Sequence, residues 1–474
     1  MKYDFMKTHS IRNRVIRHAR SGNLDRAFGL LEDFAASQDA EDPAVLLLRG
    51  RLLKERAKRS DGDEARALFR QSSDLYASAV GAEHLSYPLI NAATLALLAG
   101  EEEQSRELAQ QTLNALDANP DEAETPYWRH ATYAEALLLL RKSSEARQAL
   151  TGAVALAPKA WEDRAVTISQ FALISDALGL QTDWLSDFQP PQCLHYTGIM
   201  SVALDDEELR PAITQTLDQH SIGFAYGALA AGSDIMVAEC LLERGGALHV
   251  ILPCPRALFR EHSVLAVDHA WGDRFDAVLE AAETVDCLAN SDGPNPAAVS
   301  LAESLAEGLA VYDAKAMQTV MCSLRIKDRA SPNAAQTRAD GARIILTTDR
   351  APGMARQIVN PGSNLVVLAT QAVKQPPKTQ ICRDVSSALA LAAQHIARGD
   401  AVAADHRHVP HKGDPDQPHQ RVIALLAVTN AGEFCATKAF AFSALAQTPD
   451  LVLDPLGEVK AANGTFDVYQ IFDS

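Results

Sequence analysis

A glycine-punctuated turn is the first place in this sequence where residue types and spacing could serve chemistry. It reads YGALAAGSD, from Tyr226 to Asp234, between an apolar run and an amphipathic segment. Its glycines permit a close backbone approach, and Ser233 or Asp234 could cap a helix whose free N–H groups accept a phosphate. The turn matches neither the GxGxxG dinucleotide motif nor the phosphate loop that ends in Gly-Lys-Ser/Thr. The alternative is a tight strand-to-helix connection that needs its glycines for packing alone.

Histidines gather in a second segment, DHRHVPHKGDPDQPHQ. It contains four imidazoles and three carboxylates: His406, His408, His411, His419, Asp405, Asp414 and Asp416. Four histidines in one loop could bind Zn²⁺. The prolines, the glycine and the mixed charges are typical of an exposed loop, and this interpretation predicts no metal and no cofactor. The sequence leaves metal binding by this loop open.

The other reactive residue types form no catalytic pattern. No Ser-His-Asp order and no nucleophile elbow stands out. The seven cysteines are scattered and never form a CxxC pair, and most lie in apolar segments, as small buried hydrophobic residues do. We therefore expect neither a disulfide framework nor a cysteine zinc site, and the reducing cytoplasm is the expected location.

The overall composition limits the classes of partner. With 474 residues, 47% of them hydrophobic, the chain can bury two or three ordinary cores. The formal net charge of −17, from 61 acidic and 44 basic residues, predicts repulsion from nucleic acid and from anionic membranes. No apolar run approaches the length of a membrane span, and the N-terminal segment lacks the apolar stretch of a secretory signal. We expect binding to neither nucleic acid nor membrane.

Residues 1–185 predict an α-solenoid built from helical repeats. Four segments each place a small residue beside charged neighbours near the start of a second helix, at spacings of 38, 40 and 41 residues: Ala27, Ala65, Ser105 and Ala146. These spacings slightly exceed the tetratricopeptide period. Each helix pair leaves an apolar face that only the next pair can cover. The solenoid could be a concave protein-binding surface, or a spacer or dimerisation arm, so a homo-oligomer is also allowed.

The repeats resemble a known family. LSYPLINAATLALLAGE and PYWRHATYAEALLLLRKSSEARQALTGAVAL are similar to the TRAFs-binding-type tetratricopeptide region of multidomain bacterial signalling proteins. The similarity is specific at Tyr87, Asn91, Ala92, Ala93, Tyr127, Trp128 and residues 134–137, and it covers most of the first 180 residues. In that family the region precedes a Rossmann-like domain and often a nucleotide cyclase domain.

Residues 190–328 alternate strand-like and helix-like segments. The two prolines of FQPPQC mark the boundary. Five short apolar runs then alternate with helical patterns, which predicts an α/β domain with a mainly parallel sheet and helices on both faces. Ligands of such sheets bind beyond the carboxyl ends of the strands, at the point where the strand order reverses. Four places satisfy this geometry: Thr197-Gly198, the Gly227-to-Asp234 turn, Pro253 to Arg256, and Asn290 to Asn295.

The same domain resembles a nucleotide-related superfamily. YTGIM, the stretch from GFAYGALAAGSD to FREHSV, and WGDRFDAVLEAA are similar to the SLOG-type Rossmann-like domain of bacterial cyclase-linked proteins, which is related to the LOG phosphoribohydrolase and DprA folds. The resemblance implies a nucleotide-type ligand with a rim at Thr197, Gly198, Gly227, Gly232, Ser233, Asp234 and Glu239. Relatives commonly read Thr-Gly-His where Ile199 follows Gly198 here, so one polar contact is missing. The PGGxGT motif of the hydrolases is absent, so hydrolase chemistry is not expected.

A polar linker, Arg329 to Ala342, separates this domain from residues 342–474, which predict an α+β domain. The C-terminal segment resembles the end of a class III nucleotide cyclase domain. The match is carried by Gly432-Glu433, Ala439-Phe440, Leu456-Gly457, Lys460 and Gly464-Thr465-Phe466.

The resemblance also implies that this cyclase-like domain is degenerate. Cyclase chemistry needs two carboxylates for its metal ions and an Asn/Arg pair that supports the transition state. At the matching positions the first carboxylate is at best Asp349, the second is replaced by Ser363, and the Asn/Arg pair falls on Gln420 and Ala424. These departures indicate a non-catalytic domain.

The sequence therefore predicts three parts: an all-α solenoid at 1–185, a Rossmann-like nucleotide-sensing domain at 190–328, and a degenerate cyclase-like domain at 342–474. The function that fits is a non-catalytic signalling or scaffold protein that senses a nucleotide-type ligand and engages protein partners through its repeats. An active cyclase with divergent catalytic residues is the first alternative, and a LOG-like nucleotide hydrolase is the second.

Overall fold

The computed structural model describes most of the chain and divides it into two compact units, residues 1–190 and 191–474. The described residues are 12, 14–16, 18–19, 23–36, 42–80, 86–119, 125–288, 291–330, 343–351, 362–410, 417–461 and 464–472.

The first unit is helical in all the secondary structure described for it, apart from short turns. Its helices are α1 (Leu24–Ala35), α2 (Pro43–Ala57), α3 (Gly62–Ser78), α4 (Ser86–Leu98), α5 (Glu102–Ala118), α6 (Pro126–Leu139), α7 (Ser143–Leu156) and α8 (Trp161–Leu178). Helices α1, α3, α5 and α7 begin 38, 40 and 41 residues apart, which is the spacing that the sequence predicts. Helices α1 to α6 each pack against the next helix along the chain, and α8 packs against α4 and α6, so the helical-repeat prediction is confirmed.

Small residues let neighbouring helices of the repeats approach one another. A side chain at Gly50 would lie 3.1 Å from the ring of Tyr76 on the next helix. The buried hydroxyl of Ser72 donates to the Gly50 carbonyl at 2.6 Å, and that of Ser73 donates to the Ala92 carbonyl at 2.8 Å. These serines on α3 therefore tie it to both α2 and α4.

The second unit contains two six-stranded sheets. The strands of sheet 1 are β1 (Gln192–Thr197), β2 (Ile222–Gly227), β3 (Ala247–Leu252), β4 (Thr284–Cys287), β5 (Met321–Asp328) and β6 (Arg343–Thr348). Its helices are α9 (Leu209–Gln219), α10 (Ser233–Glu243), α11 (Arg256–Arg260), α12 (Trp271–Ala281) and α13 (Pro296–Ala316). The strand order is β4-β3-β2-β1-β5-β6 and every pairing is parallel, so the predicted parallel α/β architecture is confirmed. The order reverses between β1 and β5.

Strand β6 corrects the sequence-based grouping of this segment. RIILTT was placed with the C-terminal domain, whereas the structure pairs it with β5 in parallel, from Ser323 opposite Arg343 to Asp328 opposite Thr348. Ile344 and Leu346 pack against the core of sheet 1, and this burial decides the strand's position. Most of the predicted linker, residues 331–342, lies outside the described residues.

Sheet 2 is mixed. It is formed by β7 (Ser363–Gln371), β8 (Lys378–Cys382), β9 (Ala401–Val409), β10 (Phe434–Thr437), β11 (Val452–Ala461) and β12 (Gly464–Phe472), in the order β11-β12-β10-β9-β7-β8. Its helices are α14 (Val385–Ile396), α15 (Gln417–Leu426) and α16 (Lys438–Gln447). Strands β9 and β10 are parallel and the other pairs are antiparallel, which agrees with the α+β class.

A shared helical layer joins the two sheets. Helix α13 packs on β1, β2 and β3 and also contacts β7, β9 and α16. A side chain at Gly308 of α13 would lie 2.0 Å from the carbonyl oxygen of Phe442 on α16, so the two helix backbones touch at this glycine. Asn364 at the start of β7 donates to the Ala297 carbonyl of α13 at 2.8 Å. Residues 191–474 therefore form one packed body.

Within the described part of the chain, no helix combines the length and the apolar character that crossing a bilayer requires.

Candidate functional site

The glycine turn predicted from the sequence lies where β2 ends and α10 begins, at the carboxyl edge of sheet 1. Gly227, the last residue of β2, is required by packing, since a side chain there would lie 2.6 Å from the ring of Tyr196. The Tyr196 hydroxyl donates to the Ala228 carbonyl at 2.9 Å and holds the start of the turn. Gly227 is therefore needed for close packing of the strand against Tyr196, whether or not the turn binds a ligand.

The start of α10 is covered by the chain's own loop after β1. The Ser233 amide donates to the Ile199 carbonyl at 3.2 Å, and the Ser233 hydroxyl accepts from the Ile199 amide at 2.7 Å. Gly232 has a φ of 116°, and a side chain there would lie 2.7 Å from the same Ile199 carbonyl. The first N–H group of the helix is therefore occupied by protein backbone.

The structure brings six of the seven predicted rim residues together. Gly198 approaches the helix so closely that a side chain there would lie 2.0 Å from the Ser233 hydroxyl and 2.5 Å from an Asp234 carboxylate oxygen. Six predicted rim residues thus lie at the carboxyl ends of β1 and β2 and at the start of α10: Thr197, Gly198, Gly227, Gly232, Ser233 and Asp234. Ser233 is fully buried and Asp234 is 8% exposed.

The carboxyl group of Asp234, at the start of α10, has an unusually high pKa. Burial raises the pKa of its carboxyl to about 7, while backbone N–H groups of Ala230 and Gly198 pull it down and the charge of Glu303 raises it further. The Ala230 amide donates to one carboxylate oxygen at 3.2 Å. Near neutral pH this carboxyl is therefore partly protonated, and in that form it can donate a hydrogen bond.

Sequence reasoning missed a second polar group at the same reversal of strand order. His195 of β1 is 1% exposed and neither ring nitrogen has a hydrogen-bond partner among the described residues. Burial, together with the charge of Arg325 on β5, lowers its pKa to about 4. Burial raises the pKa of Glu307 on α13, which Arg325 partly offsets. No local motif flags these residues, because they are brought together only by the pairing of β1 with β5 and by α13.

Glu239 lies apart from the other rim residues, two turns along α10. Its carboxylate accepts from Arg274 at 2.6 and 2.7 Å and from Arg210 at 3.0 Å. Burial pushes its pKa up, but these guanidinium hydrogen bonds outweigh burial and hold the pKa below its usual range. Arg274 also stacks on Trp271 at 4.2 Å. Glu239, Arg210 and Arg274 line an open groove of about 650 Å³.

The loop after β1 is also held from the side of β6. The Ala351 amide donates to the Ser201 carbonyl at 2.6 Å, and Arg350 donates to the Met200 carbonyl at 3.3 Å. The Thr348 hydroxyl donates to Asp206 at 2.5 Å. The loop thus spans the gap between the start of α10 and the end of β6, across the reversal of strand order.

The histidine segment is not the exposed loop that the sequence predicts. His406 and His408 lie on β9, where His406 contacts the Ser443 hydroxyl at 3.1 Å and His408 contacts the Asn295 amide at 3.1 Å. His419 lies on α15 and contacts Thr379 at 3.1 Å, while His411, Asp414 and Asp416 fall outside the described residues. Among the described residues no cluster of three or more potential ligands is suited to a metal ion. Alternation along a strand accounts for the H-R-H spacing.

The four positions assigned to cyclase chemistry do not form one site. Asp349 follows β6 of sheet 1, has a side chain 71% exposed and pairs with Arg329 at 3.4 Å. Ser363 begins β7 of sheet 2, and Gln420 and Ala424 lie on α15. The two metal positions thus belong to different sheets.

The first unit has recognisable relatives. Residues 8–185 match the model of the MAP3K TRAFs-binding domain family. The matched residues are less than half of the chain and include all the helical repeats. The match bears out the repeat part of the sequence resemblance, and it ends at residue 185.

Solved structures of repeat proteins are similar to part of the chain. TPR-like repeats from Podosopora anserina, named after kinesin light chains, are 22% identical, cover 38% of this chain and 92% of their own, and give a TM-score of 0.26. A single-substitution variant of them gives 0.27, with 22% identity and coverages of 38% and 91%. MamA of AMB-1 is 20% identical, with coverages of 38% and 93% and a TM-score of 0.22. No curated protein matches.

Proposed function

We propose that this chain is a non-catalytic scaffold protein that binds partner proteins through its TRAFs-binding region and senses a nucleotide-type ligand at the carboxyl edge of sheet 1. The scaffold part is supported by the family match of residues 8–185. A region of stacked helix pairs offers an extended surface that suits protein partners rather than small substrates.

A line of polar side chains across alternate helices supports the partner-binding role. Lys54 of α2 donates to the Asn91 amide oxygen of α4 at 3.4 Å. Glu135 of α6 accepts from Thr94 of α4 at 2.6 Å and from Gln170 of α8 at 3.2 Å. These side chains form one half-buried polar strip that runs across α2, α4, α6 and α8, the alternate helices of the repeats.

The two charges in this strip lack ion-pair partners among the described residues. Burial lowers the pKa of Lys54 to about 8, against a smaller opposite effect of Glu135. Burial likewise raises the pKa of Glu135, although Thr94, Lys54 and Gln170 stabilise its charged form. A partner segment that brings opposite charges and backbone hydrogen bonds would compensate both groups, which is how such a strip would select its ligand.

Peptide-display selection on the full chain tests the scaffold role. We expect an enriched peptide motif, and a purified TRAF domain is the probe that the family name suggests. Glu135→Gln and Lys54→Met should abolish the enrichment, whereas Glu103→Gln, an exposed glutamate on α5, should preserve it. Failure to enrich any motif on the unaltered protein would contradict the proposal, as would an identical motif on all three variants.

The nucleotide-sensing part is supported by the parallel sheet, its reversal of strand order and the six rim residues gathered there. Because the Ser233 amide already donates to Ile199, a phosphate reaches the helix start only by displacing the loop of residues 198–201. Binding would thus release the loop from α10, and this release is the proposed signal.

Thermal denaturation of the full chain with adenine and guanine nucleotides tests the sensing role. At a hundred times the dissociation constant, binding should stabilise the native state by about 2.7 kcal/mol. The Gly232→Val change is a poor probe, since its side chain would strike the Ile199 carbonyl of the protein itself. Thr197→Val is suitable because Thr197 is half-buried at the rim, and it should reduce the stabilisation. No shift with any nucleotide would contradict sensing.

The proposal of a non-catalytic protein is supported by the placement of Asp349 after a strand of sheet 1 and of Ser363 on a strand of sheet 2. We expect no cyclic nucleotide from ATP or GTP with Mg²⁺ or Mn²⁺, and no release of base from a nucleoside monophosphate. Turnover that Asp349→Ala abolishes would instead favour the divergent cyclase.

A further inference from the structure

Among the described residues, one buried arginine of sheet 2 has no ion-pair partner. Arg407 lies near the end of β9 and is 8% exposed, yet within the described part of the chain its guanidinium makes no hydrogen bond or ion pair. Ala401 and Ala403 of the same strand belong to the core beneath α15, so strand alternation places Asp405 and Arg407 on that same face.

A second arginine approaches the same place from α15. Arg421 lies 3.4 Å from the Asp405 carboxylate and stacks over the ring of Phe466 at 4.6 Å. Asp405 is 1% exposed and accepts from the Thr437 hydroxyl of β10 at 2.7 Å. Burial lowers the pKa of Arg407, and so does the positive charge of Arg421, against the opposing charge of Asp405.

The charge of the described residues at this place is therefore unbalanced. Asp405 pairs with Arg421 and accepts from Thr437, and no described carboxylate lies within ion-pair distance of Arg407. Withdrawing an arginine from water without a counter-charge is unfavourable, and a bound anion offsets this penalty. Two planar guanidinium groups with donors in fixed directions match the oxygens of a phosphate group.

We propose that Arg407 and Arg421, positioned by Asp405 and Thr437, form a binding site for a phosphate group at the carboxyl ends of β9 and β10. The phosphate group belongs to free phosphate or to a nucleotide. This site lies on sheet 2, apart from the rim residues of sheet 1, and it does not depend on the sensing role proposed above.

Equilibrium dialysis of the full chain against inorganic phosphate at low ionic strength tests the site. We expect one saturable site per chain, because the net charge of −17 disfavours non-specific anion binding. Arg407→Gln should weaken the affinity about tenfold or more, since charge-assisted hydrogen bonds are lost. Arg398→Gln removes the same charge from an exposed side chain of the same unit and should leave the affinity unchanged.

Two results would overturn the proposal: no saturable phosphate binding by the unaltered protein, or an equal loss of affinity in both variants. A third readout is thermal unfolding without phosphate. Arg407→Gln should keep or raise the unfolding temperature because it removes an uncompensated buried charge, and a clear decrease would assign Arg407 a purely structural role.

Should Arg407→Gln fail to fold, Arg407→Lys keeps the charge without the planar fork and should weaken phosphate binding several-fold. Competition dialysis separates the two sources of the phosphate. Displacement of phosphate by ATP but not by adenosine assigns the site to a nucleotide phosphate. Phosphate that ATP does not displace assigns the site to free phosphate.

Discussion

The Ser233 hydroxyl is hydrogen-bonded to both backbone groups of Ile199, accepting from its amide at 2.7 Å and donating to its carbonyl at 3.1 Å. Through this pair the loop after β1 is fixed to the first residue of α10. The residues that the sequence assigns to a nucleotide are thus held in place by bonds within the protein.

Removing this link should loosen the loop. Ser233→Ala leaves a buried amide without its acceptor, so we expect a loss of about 1–3 kcal/mol in the free energy of unfolding. Amide hydrogen exchange at Ile199 should accelerate as well. Ser304→Ala is the matched control, since Ser304 is partly buried and its hydroxyl donates to the Ser300 carbonyl of its own helix; its effect should stay within about 0.5 kcal/mol. Equal stability of the two variants would contradict the assigned role of Ser233.

Asp234 predicts a distinct dependence of stability on pH. Its folded pKa of about 7 exceeds the ordinary value of 3.8, so the folded state holds the proton more tightly than the unfolded state. Its contribution to stability is complete below about pH 4 and is lost as the pH rises through about 7. The full loss corresponds to roughly 4 kcal/mol at most.

Chemical denaturation of Asp234→Asn from pH 4 to pH 8 measures this effect. The amide keeps an acceptor for Ala230 but does not ionise, so the variant should gain on the unaltered protein as the pH rises. Asp273→Asn, at an exposed position of α12, should follow the unaltered protein throughout. A difference between Asp234→Asn and the unaltered protein that is the same at every pH would disprove the raised pKa.

Glu239 should contribute more to stability than its neighbour Glu243. Glu239→Gln leaves Arg274 without a carboxylate and Arg210 with Glu243 alone, and we expect a loss of about 2–3 kcal/mol. Glu243 pairs only with Arg210 and its side chain is 61% exposed, so Glu243→Gln should cost no more than about 0.5 kcal/mol. The lowered pKa of Glu239 adds a pH signature, since its contribution should disappear as the pH falls through that pKa. Urea titrations of both variants at pH 7 and at pH 3 would settle the order.

Gly308→Ala should damage the contact between α13 and α16. The new methyl group would overlap the Phe442 carbonyl, and backbone on both sides prevents an easy adjustment, so we expect a loss of at least about 3 kcal/mol. Gly29→Ala is the control, because Gly29 lies in the exposed interior of α1 with nothing within 4 Å of the added methyl group. There the change should stabilise the helix by up to about 1 kcal/mol. Comparable unfolding midpoints would show that the helices separate readily.

Local patterns predicted the elements well because they depend on neighbours in sequence. The small residues Ala27, Ser105 and Ala146 are buried at the helix contacts where the repeat spacing placed them. The alternation of strands and helices between residues 190 and 328 was equally readable, since burial on both faces makes a parallel strand uniformly apolar.

The contacts that define the candidate sites could not be predicted from the sequence, because they join residues that are far apart in it. Ile199 covers the helix start through bonds to Ser233, 34 residues later. His406 and His408 were taken for loop residues, although burial against α16 and α13 makes their segment a strand. Arg407 and Arg421 approach one another only once α15 packs on β9. Charge balance in a fold is a property of such contacts, and composition does not reveal it.

The close helix contact at Gly308 also limits how the two halves of residues 191–474 can be recombined with other genes during evolution. The backbones of α13 and α16 are in contact at Gly308, so removing either sheet with its helices would expose the helix face that the other now covers. The chain also passes from β6 of sheet 1 to β7 of sheet 2, the next described element. A recombination event between the two halves would yield products that each expose an apolar helix face and aggregate. The two sheets of residues 191–474 are therefore expected to be inherited only together.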